Sequence, residues 1–175
     1  MARNHAYTQK VWQAPAVRRA RHVVSAKRIG RYLTAGRRRL PDYIIAGAQK
    51  SGTTSLWAYL REHPRVDPPM QKETSFFDVH YHRGLRWYRM HFPLAASRRR
   101  GAVRHTTLTG ESTAYYFFHP LAPQRIAQTL PGVKIILLLR NPVDRAFSHY
   151  QLKLRRLQET LSFEDAIDAE AERLA

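Results

Sequence analysis

Residues Ile44–Leu60 read IIAGAQKSGTTSLWAYL. An apolar run enters a segment bounded by two glycines, and a helical pattern leaves it. Short apolar runs bounded by glycine fit a buried strand. Leu56, Trp57 and Leu60 then fall on one side of a helix that Pro64 stops. A strand that passes through a glycine-rich turn into a helix aims backbone N–H groups at a common point. The helix N-terminus adds its unpaired donors and positive dipole end there. This order of residues therefore predicts an anion cradle at the carboxyl end of a strand.

The rest of the chain repeats the alternation. DYIIAG predicts the first strand and GTTSLWAYLREH the first helix. TLTGESTAYYF holds a second strand, HPLAPQRIAQTLPG a helix, and VKIILLLR is the clearest buried strand. NPVDRAFSHYQLKLRRL is a helix capped by Asn141, with Pro142 at its first position. Its expected apolar face is Val143, Ala146, Phe147, Tyr150, Leu154 and Leu157. Ser162 and Asp165 form a capping box that opens a last acidic helix. The aromatic stretch ETSFFDVHYHRGLRWYRMHF fits neither period. Strand and helix in alternation predict an α/β fold of the P-loop-like type, with three layers and a central parallel sheet flanked by helices. Ligands in such sheets bind beyond the carboxyl ends of the strands, here after YIIAG and after IILLLR.

Charge divides the 175 residues unevenly. Of the net +17, residues 1–40 carry eleven Lys/Arg and no acid, while the remainder holds nineteen basic and thirteen acidic residues. Residues 1–40 are therefore expected to be a basic, flexible or weakly helical arm, and 41–175 the folded domain. Such an excess favours anionic partners. The absence of cysteine excludes disulfides and thiol catalysis. IILLL is too short to span a bilayer, and the N-terminus has no apolar signal core. With no anchor, the expected location is cytoplasmic. His80 and His82 have a metal-like spacing but no convincing third ligand, so no metal is expected.

The cradle departs from the ATP-binding pattern G-x-x-x-x-G-K-[ST] in one respect. Gly47 and Gly52 keep the glycine spacing, yet Thr53 stands where the lysine belongs and Lys50 lies inside the loop. Lys50, Ser51, Gly52, Thr53, Thr54 and Ser55 remain able to hold an oxyanion. The usual lysine–magnesium pairing around a triphosphate is missing, which favours an anhydride of lower charge.

IIAGAQKSGTTSL resembles the 5′-phosphosulfate loop of sulfotransferases that use 3′-phosphoadenosine 5′-phosphosulfate (PAPS). ILLLRNPVDRAFSHY resembles their 3′-phosphate site. KETSFFD, HRGLRWYRMHFP and GESTAYYF resemble segments of the heparan sulfate N- and 3-O-sulfotransferase branch. One residue departs: that branch carries a lysine where Ser112 stands. The resemblance implies Glu73 as catalytic base, Lys50 as the cation at the transferring group, and Arg140 with Ser148 as the 3′-phosphate clamp. It implies Asp78 as a substrate-binding residue, PAPS as co-substrate without a metal, and a hydroxyl- or amine-bearing acceptor such as a glycan. It further implies that residues 41–175 are the N-terminal portion of a longer domain. Two other readings stand beside it: a nucleotide kinase or NTPase with an altered loop, and a nucleic-acid-binding protein driven by the arm. Steep salt dependence would mark the latter.

Overall fold

The computed structural model describes residues 26–95 and 107–174. These form two units, 26–149 and 150–174. In the first, helix α1 (Ala26–Leu33) and a short 3₁₀ turn (Ala35–Arg37) precede strand β1 (Tyr43–Gly47) and helix α2 (Thr53–Glu62). A π-type turn (Phe76–His80), a 3₁₀ turn (Tyr81–Arg83) and helix α3 (Gly84–Arg89) follow. Strand β2 (Gly110–Ser112), helix α4 (Ala122–Thr129), strand β3 (Lys134–Leu137) and helix α5 (Pro142–Arg155) complete it, with α5 running into the second unit.

The three strands are all parallel, in the order β2-β1-β3. Asp42 gathers their entry points. Its N–H donates to the Thr109 carbonyl at 2.7 Å, and its own carbonyl accepts from Lys134 N–H at 3.1 Å. Its carboxylate accepts from Thr109 N–H at 2.7 Å and pairs with Arg39 at 2.7 Å. Every residue of β1 is buried, as the continuous apolar run predicted. Ile44 and Ala46 pack with Phe76, Phe77, Tyr88, Phe92, Tyr116 and Ile126. The ring of Phe76 stacks on Tyr88 with centroids 4.4 Å apart and meets Phe77 edge-on at 4.9 Å. The aromatic stretch that fits neither period is thus the core itself. It runs through short irregular turns, so no single periodicity marks it.

Two expectations change. The sequence predicts a buried strand at VKIILLLR, but among the described residues β3 lies at the edge of the sheet, and Ile135, Leu137 and Leu139 are exposed. The predicted apolar face of α5 is exposed at Val143 and Phe147 as well. An apolar run records a preference for burial; whether a neighbour covers it is decided by strand order.

The basic segment 1–40 contributes its last fifteen residues to the first unit. Arg31 donates to the Met90 and Phe92 carbonyls at 2.7 and 2.8 Å, and buried Arg38 donates to Phe92 at 2.9 Å. The chain around Arg38 bridges antiparallel to Leu94. These guanidinium groups satisfy carbonyls left open beyond the end of α3, a location that suits cations. Residues 1–25, where the remainder of the arm was expected, lie outside the described residues.

In the second unit, Ser162 caps helix α6 (Phe163–Asp168). Its hydroxyl accepts from Asp165 N–H at 3.1 Å and donates to the Asp165 carboxylate at 2.7 Å. Helix α7 (Glu170–Leu174) follows, and Arg173 donates to Glu159 at 2.7 and 3.3 Å.

Glu111 of β2 is fully buried, beside the hydroxyl of Thr74 and near Tyr116, Tyr88 and Asp78. Burial pushes its carboxyl up to about 7, against the opposing pull of bonds from Thr74 and Tyr116. Burial pushes His91 the other way, down to about 4.

Two predictions follow from this packing. Phe76→Ala should cost about 3–5 kcal/mol, read as a lower urea midpoint at unchanged slope. Glu111 binds its proton more tightly folded than unfolded, so its contribution is full below pH 4.5 and is lost as pH rises through 7. His91 has the opposite sign: its contribution is present above 6.5 and lost as pH falls through 4. Wild type therefore mixes two trends, and the difference from Glu111→Gln isolates one. The stability of Glu111→Gln relative to wild type should rise from pH 5 to pH 8; a flat difference would refute the assignment.

Candidate active site

The loop between β1 and α2 leaves the sheet at Gly47. A Cβ there would sit 2.6 Å from Cβ of Phe117 and 3.1 Å from the Ala114 carbonyl, so only glycine lets the 113–117 turn come this close. Phe117 N–H in turn donates to the Ala46 carbonyl at 2.9 Å. The loop turns back where Ser51 N–H meets the Ala48 carbonyl at 3.2 Å. Lys50 has φ +67°, and Gly52 has φ +92° at the N-cap of α2. Lys50 is thus held in the left-handed region, at a cost of about 1–3 kcal/mol for a residue with a Cβ. No side chain caps α2. Thr53 is buried, Thr54 and Ser55 are exposed in the first turn, and Ser51 Oγ is buried with no hydrogen-bond partner. Uncapped helix donors and an unpartnered hydroxyl in one turn suit an oxyanion.

The second predicted loop lies directly beside it. Ala48 N–H donates to the Leu138 carbonyl at 2.9 Å, and Leu138 N–H donates to Gly47 at 2.8 Å. That pairing carries β3 past the end of β1 and delivers Arg140 to the cradle. Its Nη1 donates to the Lys50 carbonyl at 3.4 Å. The two residues are ninety positions apart in sequence and share one end of the sheet. Asn141 caps α5 as predicted, its side-chain oxygen accepting from Val143 N–H at 3.0 Å. Ser148 is half-buried on the second turn of α5, and among the described residues no hydrogen bond joins it to Arg140.

Glu73 is exposed beside the cradle. Lys72 links the two: its Nζ lies 2.9 Å from Thr54 Oγ1 and 3.1 Å from Glu73 Oε1. Sequence reasoning did not single out Lys72, because nothing in the linear pattern says that it folds back onto α2. Asp78 belongs to the π-type turn, where its carboxylate accepts from Val79 N–H at 2.7 Å. Burial raises its pKa; the bonds from Val79 and its own N–H oppose that, and the charge of Glu73 adds to the rise. Arg125 secures the same turn by donating to the Phe77 and Asp78 carbonyls at 2.7 and 3.1 Å.

The arrangement therefore brings together the loop that carries Lys50, the Arg140 guanidinium that reaches the Lys50 carbonyl, and an exposed carboxylate, Glu73. Loop N–H donors and a neighbouring guanidinium stabilise negative charge that develops on a bound oxygen. A neighbouring carboxylate accepts a proton. Among the described residues, no group of three His, Asp or Glu side chains is placed to hold a metal.

The sulfotransferase domain family matches residues 40–173. The membrane-associated sulfotransferase kil1 of Dictyostelium discoideum is 37% identical over 76% of this chain and 28% of its own length. The human heparan sulfate glucosamine 3-O-sulfotransferase 6 is 40% identical over 73% of this chain and 35% of its own. The crystal structure of a sulfotransferase from Alicyclobacillus acidocaldarius superposes with a TM-score of 0.61 at 34% identity, covering 78% of this chain and 59% of that one. The chain thus spans about a third of these curated relatives and three-fifths of the crystallised one. With the cradle, the paired strand ends and these likenesses together, the chain belongs to the sulfotransferase family, on the branch of the heparan sulfate N- and 3-O-sulfotransferases.

Proposed function

We propose that this chain carries the donor site and the base of a sulfotransferase that moves a sulfuryl group from PAPS to a hydroxyl or amine of a glycan acceptor. One observation carries the reading: Arg140 reaches the Lys50 carbonyl, so two anion-seeking loops open onto the same place. A nucleotide with phosphate groups at both its 5′ and 3′ positions has the charge distribution that such a pair suits. The buried, unpartnered Ser51 hydroxyl and the uncapped N-terminus of α2 support the fit.

In this reading Ser51, Gly52, Thr53, Thr54 and Ser55 hold the 5′ end of the nucleotide through N–H and hydroxyl donors. Lys50 meets the charge that builds on the leaving oxygen. Arg140 makes a charge-assisted contact to the 3′-phosphate, with Ser148 adding a hydroxyl. Glu73 takes the proton that the acceptor oxygen or nitrogen loses. Lys72, bonded to both Glu73 and Thr54, keeps that carboxylate facing the cradle. Asp78 orients the acceptor on the same side. The group in transit bears less charge than a triphosphate tail, so side-chain and backbone donors suffice without a metal. The glycan class rests on the heparan sulfate named in the relatives. Position 112 is serine, so any cation at the acceptor side comes from elsewhere.

Calorimetry separates this reading from a nucleotide kinase. Adenosine 3′,5′-bisphosphate should bind without magnesium, and Lys50→Ala or Arg140→Ala should weaken it about 10- to 100-fold, as expected for a lost charged contact. Tighter binding of ATP with magnesium would hand the site to the kinase reading. Glu73→Gln should lower kcat about 10²–10⁴-fold while bisphosphate affinity holds. Wild-type turnover in that variant would remove Glu73 as the base.

A further inference from the structure

Glu111 takes no part in the donor site or the proton transfer, yet it is a fully buried acid at the centre of β2. An acid placed only to fill space would be costly there, because burial penalises its charge and leaves lone pairs to satisfy. Its Oε2 accepts the hydroxyl proton of Thr74, the residue next to Glu73. Thr74 is itself buried, and its Oγ1 lies 3.3 Å from the Tyr116 hydroxyl. That hydroxyl accepts from the N–H groups of Phe76 and Phe77 at 2.9 and 3.3 Å. On the other side of Glu73, the Lys72 carbonyl accepts from Ser112 N–H at 3.3 Å.

Glu73 is therefore bracketed by two attachments to β2, one on each neighbouring residue. The backbone between these attachments and the core is not relaxed. Ser75 has φ +48° and ψ 39°, the left-handed region, with a side chain that disfavours it. A turn of this kind persists only where its surroundings fix it. Ser75 N–H reaches Thr113 Oγ1 only at 3.4 Å, so the firmer hold comes from Thr74 and Tyr116.

We propose that Glu111 is a positioning residue that, through the Thr74 hydroxyl, fixes the carboxylate of Glu73 against Lys72 and Thr54 at the mouth of the cradle. The inference rests on Glu73 acting as base and adds the device that places it. Glu111 touches no reacting atom. It sets the seat of one that does, and the β2 strand, rigid within the sheet, passes that placement to an otherwise exposed side chain.

The test compares Thr74→Val, Thr74→Ser, Glu111→Gln and Glu111→Ala in the full chain, each alone and with Glu73→Gln. Misplacing a base by about an ångström lowers turnover up to about a hundredfold. Thr74→Val and Glu111→Ala should therefore lower kcat about 10- to 100-fold, with donor KM and bisphosphate affinity within about threefold of wild type. Thr74→Ser should restore kcat, and Glu111→Gln should retain most of it, since its amide oxygen still accepts the hydroxyl. In the Glu73→Gln background, Thr74→Val should have no further effect on kcat. Hydrogen exchange reads the same clamp without turnover: the Phe76 and Phe77 amides should exchange at least about tenfold faster in Thr74→Val. Wild-type kcat and protection in Thr74→Val overturn the inference, as does a loss that Ser fails to rescue or that adds fully to Glu73→Gln. An undamaged Glu73→Gln would instead remove the base reading, and the placement with it.

Discussion

Gly47 and Ala48 leave β1 joined to Leu138 by two backbone hydrogen bonds, and that junction fixes where everything beyond the strands can go. Parallel neighbours end on the same side, so their following loops must share a space. The cradle of Lys50 to Ser55 and the turn carrying Arg140 meet for this reason. Asp42 enforces the pairing from the opposite end, where its carbonyl, N–H and carboxylate reach Lys134, Thr109 and Arg39. The site is thus a consequence of sheet topology before any side chain is considered.

β2 places the segment that bears Glu73 beside the cradle. β2 pairs with the other side of β1, and the segment 72–77 hangs on it through Ser112 and Glu111, and on Tyr116 in the turn beyond it. Phe76 and Phe77 anchor that segment in the aromatic core, leaving Glu73 exposed next to it. Apolar burial supplies the energy that holds the segment in place, and the buried polar contacts set its register. Such contacts are directional, and a buried polar group left without its partner costs more than the bond itself contributes.

Much of this was legible in the chain. The glycine pair, the strand before it and the helix after it announced the cradle, because local geometry and residue type are coupled there. Asn141 and Ser162 announced two caps for the same reason. The aromatic stretch was illegible, since turns of three to five residues never establish a period. The exposure of Ile135 and Val143 was hidden as well, because hydrophobicity does not state which strand lies at an edge. Glu111 and Lys72 stayed invisible for a related reason: burial and folding back are properties of neighbours far along the chain.

The sequence by itself determined that a glycine-bounded loop and a capped turn follow apolar strands, that this chain has no thiol, and which branch of one family the motifs resemble. Only the tertiary structure decided that the two turns meet, that β1 lies between β2 and β3, and that a buried acid holds the residue next to the exposed one. The physical reason is range. Turn and cap preferences act over a few residues, whereas strand order and burial arise from contacts across the sheet that no short segment contains.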